Sequence, residues 1–472
     1  MLFSSITFLF YFLPIVLLCY FVLFKKHKNT VLLVASLFFY FYGEPKYILV
    51  LLFSCLINYI SGRLIEKMTK YRTLILVIDL VISFGLLFYF KYFGFLIDNL
   101  NTVFSLEMVI PNIVMPIGIS FFTFQATSYT IDIYRGEVKS AKNFWTFATY
   151  LSLFPQLVAG PIVRYETVQN ELEQRKESKE TFAAGVKRFT IGLAKKVLLA
   201  NVLGELVAIL AEGTASSILS YWIQAIAITL QLYFDFSGYS DMAIGLGLMF
   251  GFHFLENFNY PLIAKSITDF WRRWHISLSS WFKDYVYIPL GGNRKGIIRQ
   301  CINILIVWCL TGLWHGASWN FVIWGLYFGV LLIIEKTLLK KVLKLHPHLA
   351  RVYTFILIVI SFVIFHFDDY HELIQFLKGM FGNLTIPLVT HETIYYLRSY
   401  GVVLLVSLFA ISPLGKQLVN SLAQKPRFKR VIDVLEIGYY FALLFISVSF
   451  LVMKLITHSY TCLLYTSPSP RD

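Results

Sequence analysis

The chain has 472 residues, of which 57% are hydrophobic, 18% aromatic and 14% charged, with a mean hydropathy of +0.68. No soluble core buries so large an apolar fraction, so the composition excludes an ordinary globular domain and calls for helices in a bilayer, where backbone amides find partners within the helix or the protein. The formal net charge of +14 does not signal a nucleic-acid surface, because Lys and Arg fall in short clusters between apolar runs.

The first apolar run, 2–24, is long enough to span and lacks a basic start and a small-residue cleavage site, so it reads as a retained helix rather than a signal peptide. Lys25, Lys26 and Lys28 follow it, which by the positive-inside rule puts this loop in the cytoplasm and the N-terminus outside. Two runs at about 30–42 and 47–60 flank Gly43-Glu44-Pro45-Lys46, a turn sequence, and return the chain to a second basic cluster of Arg63, Lys67, Lys70 and Arg72. Both runs fall short of the ~20 residues of a full span and read as tilted or partly inserted.

Further apolar segments are expected at about 74–96, 113–133, 144–158, 182–210, 218–236, 242–254, 301–313, 321–334, 352–367, 396–411 and 437–456. The result is an all-α, polytopic membrane protein with roughly ten to twelve transmembrane or re-entrant helices. Several segments are short or interrupted by Gly or Pro, and such backbone persists at membrane depth only inside protein or along a wet cavity, so a cavity is expected. The charge-mixed stretch 171–179 reads as a loop, and Lys340, Lys341 and Lys344 as a basic loop. Residues 1–457 read as a single membrane domain with a motif-rich core at about 113–330. Residues 458–472 read as a non-helical tail, and its end, CLLYTSPSPRD, looks like translated adapter sequence rather than a native C-terminus.

The five cysteines, Cys19, Cys55, Cys301, Cys309 and Cys462, show no paired spacing and suggest neither a disulfide framework nor a zinc site. The stretch 233–324 is different, because ionisable groups recur there in apolar surroundings, and intramembrane charge is a functional hint by default. Within 268–285, helical spacing puts Trp271, Trp274, His275, Leu278, Phe282 and Tyr285 on one face, with Arg272, Arg273 and Lys283 elsewhere. This pattern suits an interfacial helix, either an aromatic and arginine anchor or the carrier of a functional His275. The run Gly291-Gly292-Asn293-Arg294-Lys295 offers backbone amides and cations to a phosphate, although a basic turn explains it equally well. His315, between apolar runs and flanked by Gly312 and Gly316, is placed to stay neutral and act as a general base on a hydroxyl; a structural histidine is the alternative. No Gly-x-Ser-x-Gly elbow and no His-Glu-x-x-His zinc helix competes with it. His366, Asp368, Asp369, His371 and Glu372 look like metal ligands but are most simply a solvated loop, and no metal is expected.

The ordered motifs 231–243 (QLYFDFSGYSDMA), 256–261 (ENFNYP), 270–278 (FWRRWHISL), 287–294 (YIPLGGNR) and 313–316 (LWHG) resemble the membrane-bound O-acyltransferase family. Upstream, 115–125, 129–136 and 154–162 are similar to its alginate O-acetylase branch, with the teichoic-acid D-alanylation membrane protein a more distant relative. The resemblance implies a ring of tilted and re-entrant helices around a central funnel in the bacterial plasma membrane. It also implies that His315 is the essential histidine and His275 a second functional one. Trp314, Trp271, Trp274, Arg272, Arg273, Asp235, Asp241, Asn257, Asn293 and Arg294 are then the candidates for lining the substrate channel. No cofactor is implied as bound. The acyl donor is a cytoplasmic thioester, acetyl-CoA or an acyl carrier protein, and the acceptor an extracytoplasmic polysaccharide, with lipid around the protein and an SGNH-type extracytoplasmic acyltransferase as partner. His253 and His366 depart from the basic residues that this branch has there, which bears on polymer and partner. D-alanyl transfer to teichoic acid and a transporter or flippase are the competing readings.

Overall fold

The computed structural model describes residues 1–158, 160–213, 217–382 and 385–466, and every regular element among them is helical. Among the described residues, six helices are long and apolar enough to cross a membrane: Ile48–Lys67, Arg72–Lys91, Gly296–His315, Trp319–Leu345, Pro347–His366 and Phe428–Lys454. The pair His391–Ser399 and Gly401–Ala410, bent by 59°, makes a seventh. Shorter or more polar helices complete the bundle, including Thr7–Leu23, Lys28–Gly43, Ile119–Arg135 and Phe144–Ser152.

Several expected boundaries move, each for a physical reason. The run expected to stop at 60 continues through Arg63 to Lys67 as a full-length helix, because Ser61 and Gly62 face protein rather than lipid. Tyr129 packs where a Gly62 side chain would sit, and Arg63 reaches Ser140 Oγ at 3.1 Å. The stretch 171–179 is helical at its start, within Tyr165–Gln174, whose face carries Val168 and Leu172 into the core. The last helix, Pro426–Thr466, runs through the segment expected to be non-helical. Leu463, Leu464 and Tyr465 break no helix, and the Ser-Pro pairs begin only at Ser467; residues 467–472 lie outside the described residues.

The largest difference is at the centre, where the two segments expected at 218–236 and 242–254 are one helix, Ile218–Met249. Gly238 and Gly245 are helix contacts rather than breakers. A Cβ on Gly238 would meet the Gly192 carbonyl oxygen, and one on Gly245 the backbone of Gly185 and Phe189, so Lys179–Ala194 lies against this helix at backbone distance. Across the same seam Arg188 donates to Asp241 Oδ1 (2.7 Å) and forks onto Glu256 (2.9 and 2.6 Å), while Lys195 reaches Asp241 Oδ2 at 2.7 Å. A π-helical turn, Lys195–Ala200, lets the adjacent Lys196 pair with Asp235 at 2.8 Å.

A second glycine seam joins Gly296–His315 to Trp319–Ile334: a Cβ on Gly312 would fall on the Phe321 carbonyl oxygen, and one on Gly325 on that of Trp308. Gly325→Val is expected to cost at least ~2 kcal/mol by overpacking and to lower the thermal midpoint measured by fluorescence-detected size exclusion. Gly85→Ala, at an exposed helix position with nothing near the new methyl group, is expected to be neutral or stabilising by up to ~1 kcal/mol in the same assay.

Candidate active site

The segment 268–285 does not form the single interfacial helix that its spacing suggests. It is two short helices, Ile267–Trp271 and Ile276–Phe282, followed by a π-helical turn, Lys283–Tyr287, and His275 between them is left-handed at φ 43°. Backbone pairing with a neighbouring strand of chain makes the break: Ile276 N–H donates to Asn257 O (3.0 Å) and Asn259 N–H to Arg273 O (2.9 Å). The first helix is held from outside as well, because Glu335 accepts from the N–H groups of Ile267 (2.6 Å) and Thr268 (3.1 Å) and from the Thr268 hydroxyl (3.2 Å). Trp271, Trp274, Leu278 and Phe282 are buried in protein rather than laid in a headgroup layer.

His275 is wholly buried, and its protonation pattern follows from one amide. Ser277 N–H (3.2 Å) and Oγ (2.9 Å) donate to Asn257 Oδ1, which fixes that atom as the carbonyl oxygen. His275 Nδ1, 3.3 Å from the same oxygen, therefore carries the proton, and in the neutral ring Nε2 is left with a lone pair and no partner in the protein.

His315 ends the Gly296–His315 helix, half-buried, and its Nε2 is likewise unpartnered. Its ring stands edge-on to Trp314 (4.9 Å), Trp324 (5.0 Å) and Phe365 (5.4 Å). The Trp314 indole lies between the two imidazoles, 5.9 Å from that of His275. Both histidines border one cavity of about 290 Å3, which Trp274, Trp314, Trp324, Phe236 and Phe365 wall with aromatic surface. The indole N–H groups of Trp314 and Trp324 have no acceptor in the protein. Two imidazole nitrogens and two indole donors without partners thus belong to residues that border one largely apolar space.

The other proposed lining residues divide. Trp274 borders the cavity, and Asn257 supports His275 from behind. Trp271 packs against Trp308 (4.5 Å) and Phe328 (5.0 Å), behind the cavity wall. Arg273 is tied to Asp269 (2.8 Å), and Arg272 is exposed. Asp235 and Asp241 belong to the ion-paired helix seam described above and not to the cavity. Asn293 and Arg294 are exposed in the turn that Asn303 fastens through the Gly292 carbonyl (3.0 Å). Sequence reading missed Lys91, Trp324 and Glu335. Lys91 carried the visible signal, a single cation inside the apolar run 74–96.

Asp369 accepts from the N–H groups of His371 (2.7 Å) and Glu372 (3.0 Å), which cap the helix Tyr370–Met380 and hold its carboxyl below the usual carboxylate range. Among the described residues, no three of His, Cys, Asp and Glu converge in a group suited to a metal ion.

The profile of the membrane-bound O-acyltransferase family matches residues 39–371. The chain is 41% identical over 394 residues to the probable alginate O-acetylase AlgI of Pseudomonas aeruginosa, covering 81% of this chain and 75% of that protein. It is 35% identical over 421 residues to the peptidoglycan O-acetyltransferase of Helicobacter pylori (81% and 80% covered). It is 30% identical over 283 residues to the teichoic acid D-alanyltransferase of Bacillus subtilis (55% and 71% covered).

Removing the Glu335 carboxylate orphans the buried Ile267 N–H, at about 1–3 kcal/mol, and frees the part-buried Thr268 N–H. Glu335→Ala is therefore expected to raise amide hydrogen exchange across 267–282 at least about ten-fold by mass spectrometry, with exchange in Ile48–Lys67 unchanged.

Proposed function

Because the chain belongs to the membrane-bound O-acyltransferase family, we propose that it transfers an acyl group, acetyl, from a cytoplasmic thioester to hydroxyls of an extracytoplasmic polysaccharide such as alginate. The observation that carries this reading is the pairing of two unpartnered imidazole Nε2 atoms with two unpartnered indole N–H donors around one small cavity.

His315 Nε2 takes the proton of the acceptor hydroxyl as its oxygen attacks the thioester carbonyl. The new C–O bond forms, the C–S bond breaks, and the proton passes from His315 to the departing sulfur. Charge that develops on the carbonyl oxygen finds donors in Trp314 and Trp324 Nε1–H, which need no reorganisation to meet it. His275, locked by Asn257, offers a second lone pair to orient the acceptor hydroxyl. The thioester is acetyl-CoA or an acyl carrier protein, and where an extracytoplasmic SGNH-type acyltransferase completes delivery to the polymer, that partner supplies the hydroxyl acylated at His315 and hands the acyl group on.

With the basic clusters inside and the N-terminus outside, Arg72–Lys91 and Gly296–His315 both start at the inner face beside Arg72 and Arg294 and rise ~30 Å to the cavity. Arg72 lies over the Tyr134 ring (4.9 Å), and Arg135 and Arg164 each lie 5.0 Å from the Tyr285 ring; with Arg164 paired to Asp284 (2.7 Å), Arg72 and Arg135 are the cations at the inner end of the segment that leads back to His275. Such cations suit the phosphates of coenzyme A or of a carrier's phosphopantetheine.

His315→Ala is expected to abolish O-acylation of the polymer in cells while membrane insertion and abundance stay near wild type, read by ester-linked acetate released from purified polysaccharide. Retained acylation in that variant would remove His315 from the chemistry; loss of the protein itself would make the histidine a packing residue.

A further inference from the structure

Lys91 is the last residue of a membrane-crossing helix, and its ammonium group reaches the active cavity. Nζ donates to the Trp314 carbonyl oxygen and to Ser120 Oγ (3.3 Å) and lies 5.6 Å from the centre of the Trp314 ring. The peptide it holds is the one that leads into His315. Its partners are a carbonyl, a hydroxyl and a π face, none of which carries a compensating charge, and no ion pair to Lys91 occurs among the described residues. Among the described residues, no aspartate or glutamate lines the cavity. The remaining wall is largely aromatic and aliphatic, so a second cation brought there meets this ammonium with little screening.

We propose that Lys91 sets the acyl selectivity of the site: the cavity accepts a neutral acyl group such as acetyl and rejects one that bears its own α-ammonium, such as D-alanyl. The inference rests on the acyl-transfer reading above. A thioester carbonyl within reach of His315 places its α-substituent two bonds away, in the same small cavity that Lys91 borders. A site built for an aminoacyl group needs an anion at that position, and this one, whose acceptors are neutral imidazole nitrogens, presents a cation and two indole N–H donors. The same ammonium also pins the Trp314 carbonyl and so helps to fix where His315 sits.

The test uses the full chain in nanodiscs with glycerol as the hydroxyl and three pantetheine thioesters: acetyl, lactoyl and D-alanyl. Lactoyl matches alanyl in size but is neutral. Each turnover forms one ester C–O bond, breaks one C–S bond and returns the hydroxyl proton to sulfur, so released thiol is counted, and the rate that vanishes in His315→Ala is the one compared. The wild-type protein is expected to use lactoyl at least ten-fold faster than D-alanyl. Lys91→Gln, which keeps a donor for the Trp314 carbonyl, is expected to narrow that ratio at least five-fold, and Lys91→Glu to narrow it further. A wild-type ratio near one, or a ratio unchanged in Lys91→Gln while His315-dependent turnover persists, would overturn the assignment of Lys91 alone. Absence of His315-dependent thiol release from all three thioesters in the wild-type protein would overturn the acyl-transfer reading and this inference with it. Should Lys91→Glu fail to fold, the comparison of lactoyl with D-alanyl in Lys91→Gln decides.

Discussion

Hydrocarbon supplies no hydrogen-bond partners, and every other feature of this bundle answers to that constraint. A polar atom buried without a partner costs several kcal/mol, so one held inside the bundle must be met by protein, by water or by a ligand. The buried carboxylates of Asp79, Asp132 and Asp241 each have at least one partner in the protein. Thr130 donates to Asp79 at 2.8 Å, Tyr285 to Asp132 at 2.7 Å, and Arg188 and Lys195 to Asp241. Around the cavity the pattern reverses: His275 Nε2, His315 Nε2 and the indole N–H groups of Trp314 and Trp324 share a space but have no bonds to one another. Their unmet capacity is complementary to a carbonyl oxygen and a hydroxyl, the two groups that must come together when an ester forms.

Holding those atoms apart requires a stiff frame, and the frame is made of backbone contacts. The Gly192–Gly238 and Gly312–Gly325 seams bring helix backbones together where any side chain would force them apart. The second seam fixes the angle at which His315 leaves its helix. On the opposite wall the left-handed turn at His275 leaves the amides of Ile276 and Ser277 to Asn257, and Glu335, far away in sequence, caps the first-turn amides of Ile267–Trp271. Glu335 itself opens a π-helical turn, Glu335–Leu339, at the end of Trp319–Ile334. The site is thus built between elements that each carry an irregularity and are each braced across it.

Much of this was legible in the sequence. The membrane class followed from composition, and the pairing of His315 with His275 followed from the resemblance, because the motif residues at 270–278 and 313–316 stand in order. What local pattern could not supply was which polar residues face inward together. Asp235 and Asp241 lie in one of the densest motifs, yet they pair with Lys196, Arg188 and Lys195 across a glycine seam, a contact between segments whose register depends on tertiary packing. The same seam made Gly238 look like a break when it is a contact. Helical periodicity at 268–285 described a face correctly spaced for a helix that tertiary bonds then cut at His275. Lys91 was visible as a lone cation in an apolar run, but its neighbour, the Trp314 carbonyl, lies far along the chain.

The sorting of charge also fits the chemistry. Exchange of an acyl group from sulfur to oxygen consumes and releases no net proton, so an imidazole that borrows a proton from the hydroxyl and returns it to the thiolate is sufficient. A relay of titratable groups from the cavity to either membrane face is unnecessary, and the buried carboxylates are free to serve as structure: Glu335 caps a helix, Asp241 clamps two, and Asp132 anchors Tyr285. None of them borders the cavity. With carboxylates kept out, the single ammonium group beside the cavity has no anion to screen it from a positive charge carried in on the acyl group.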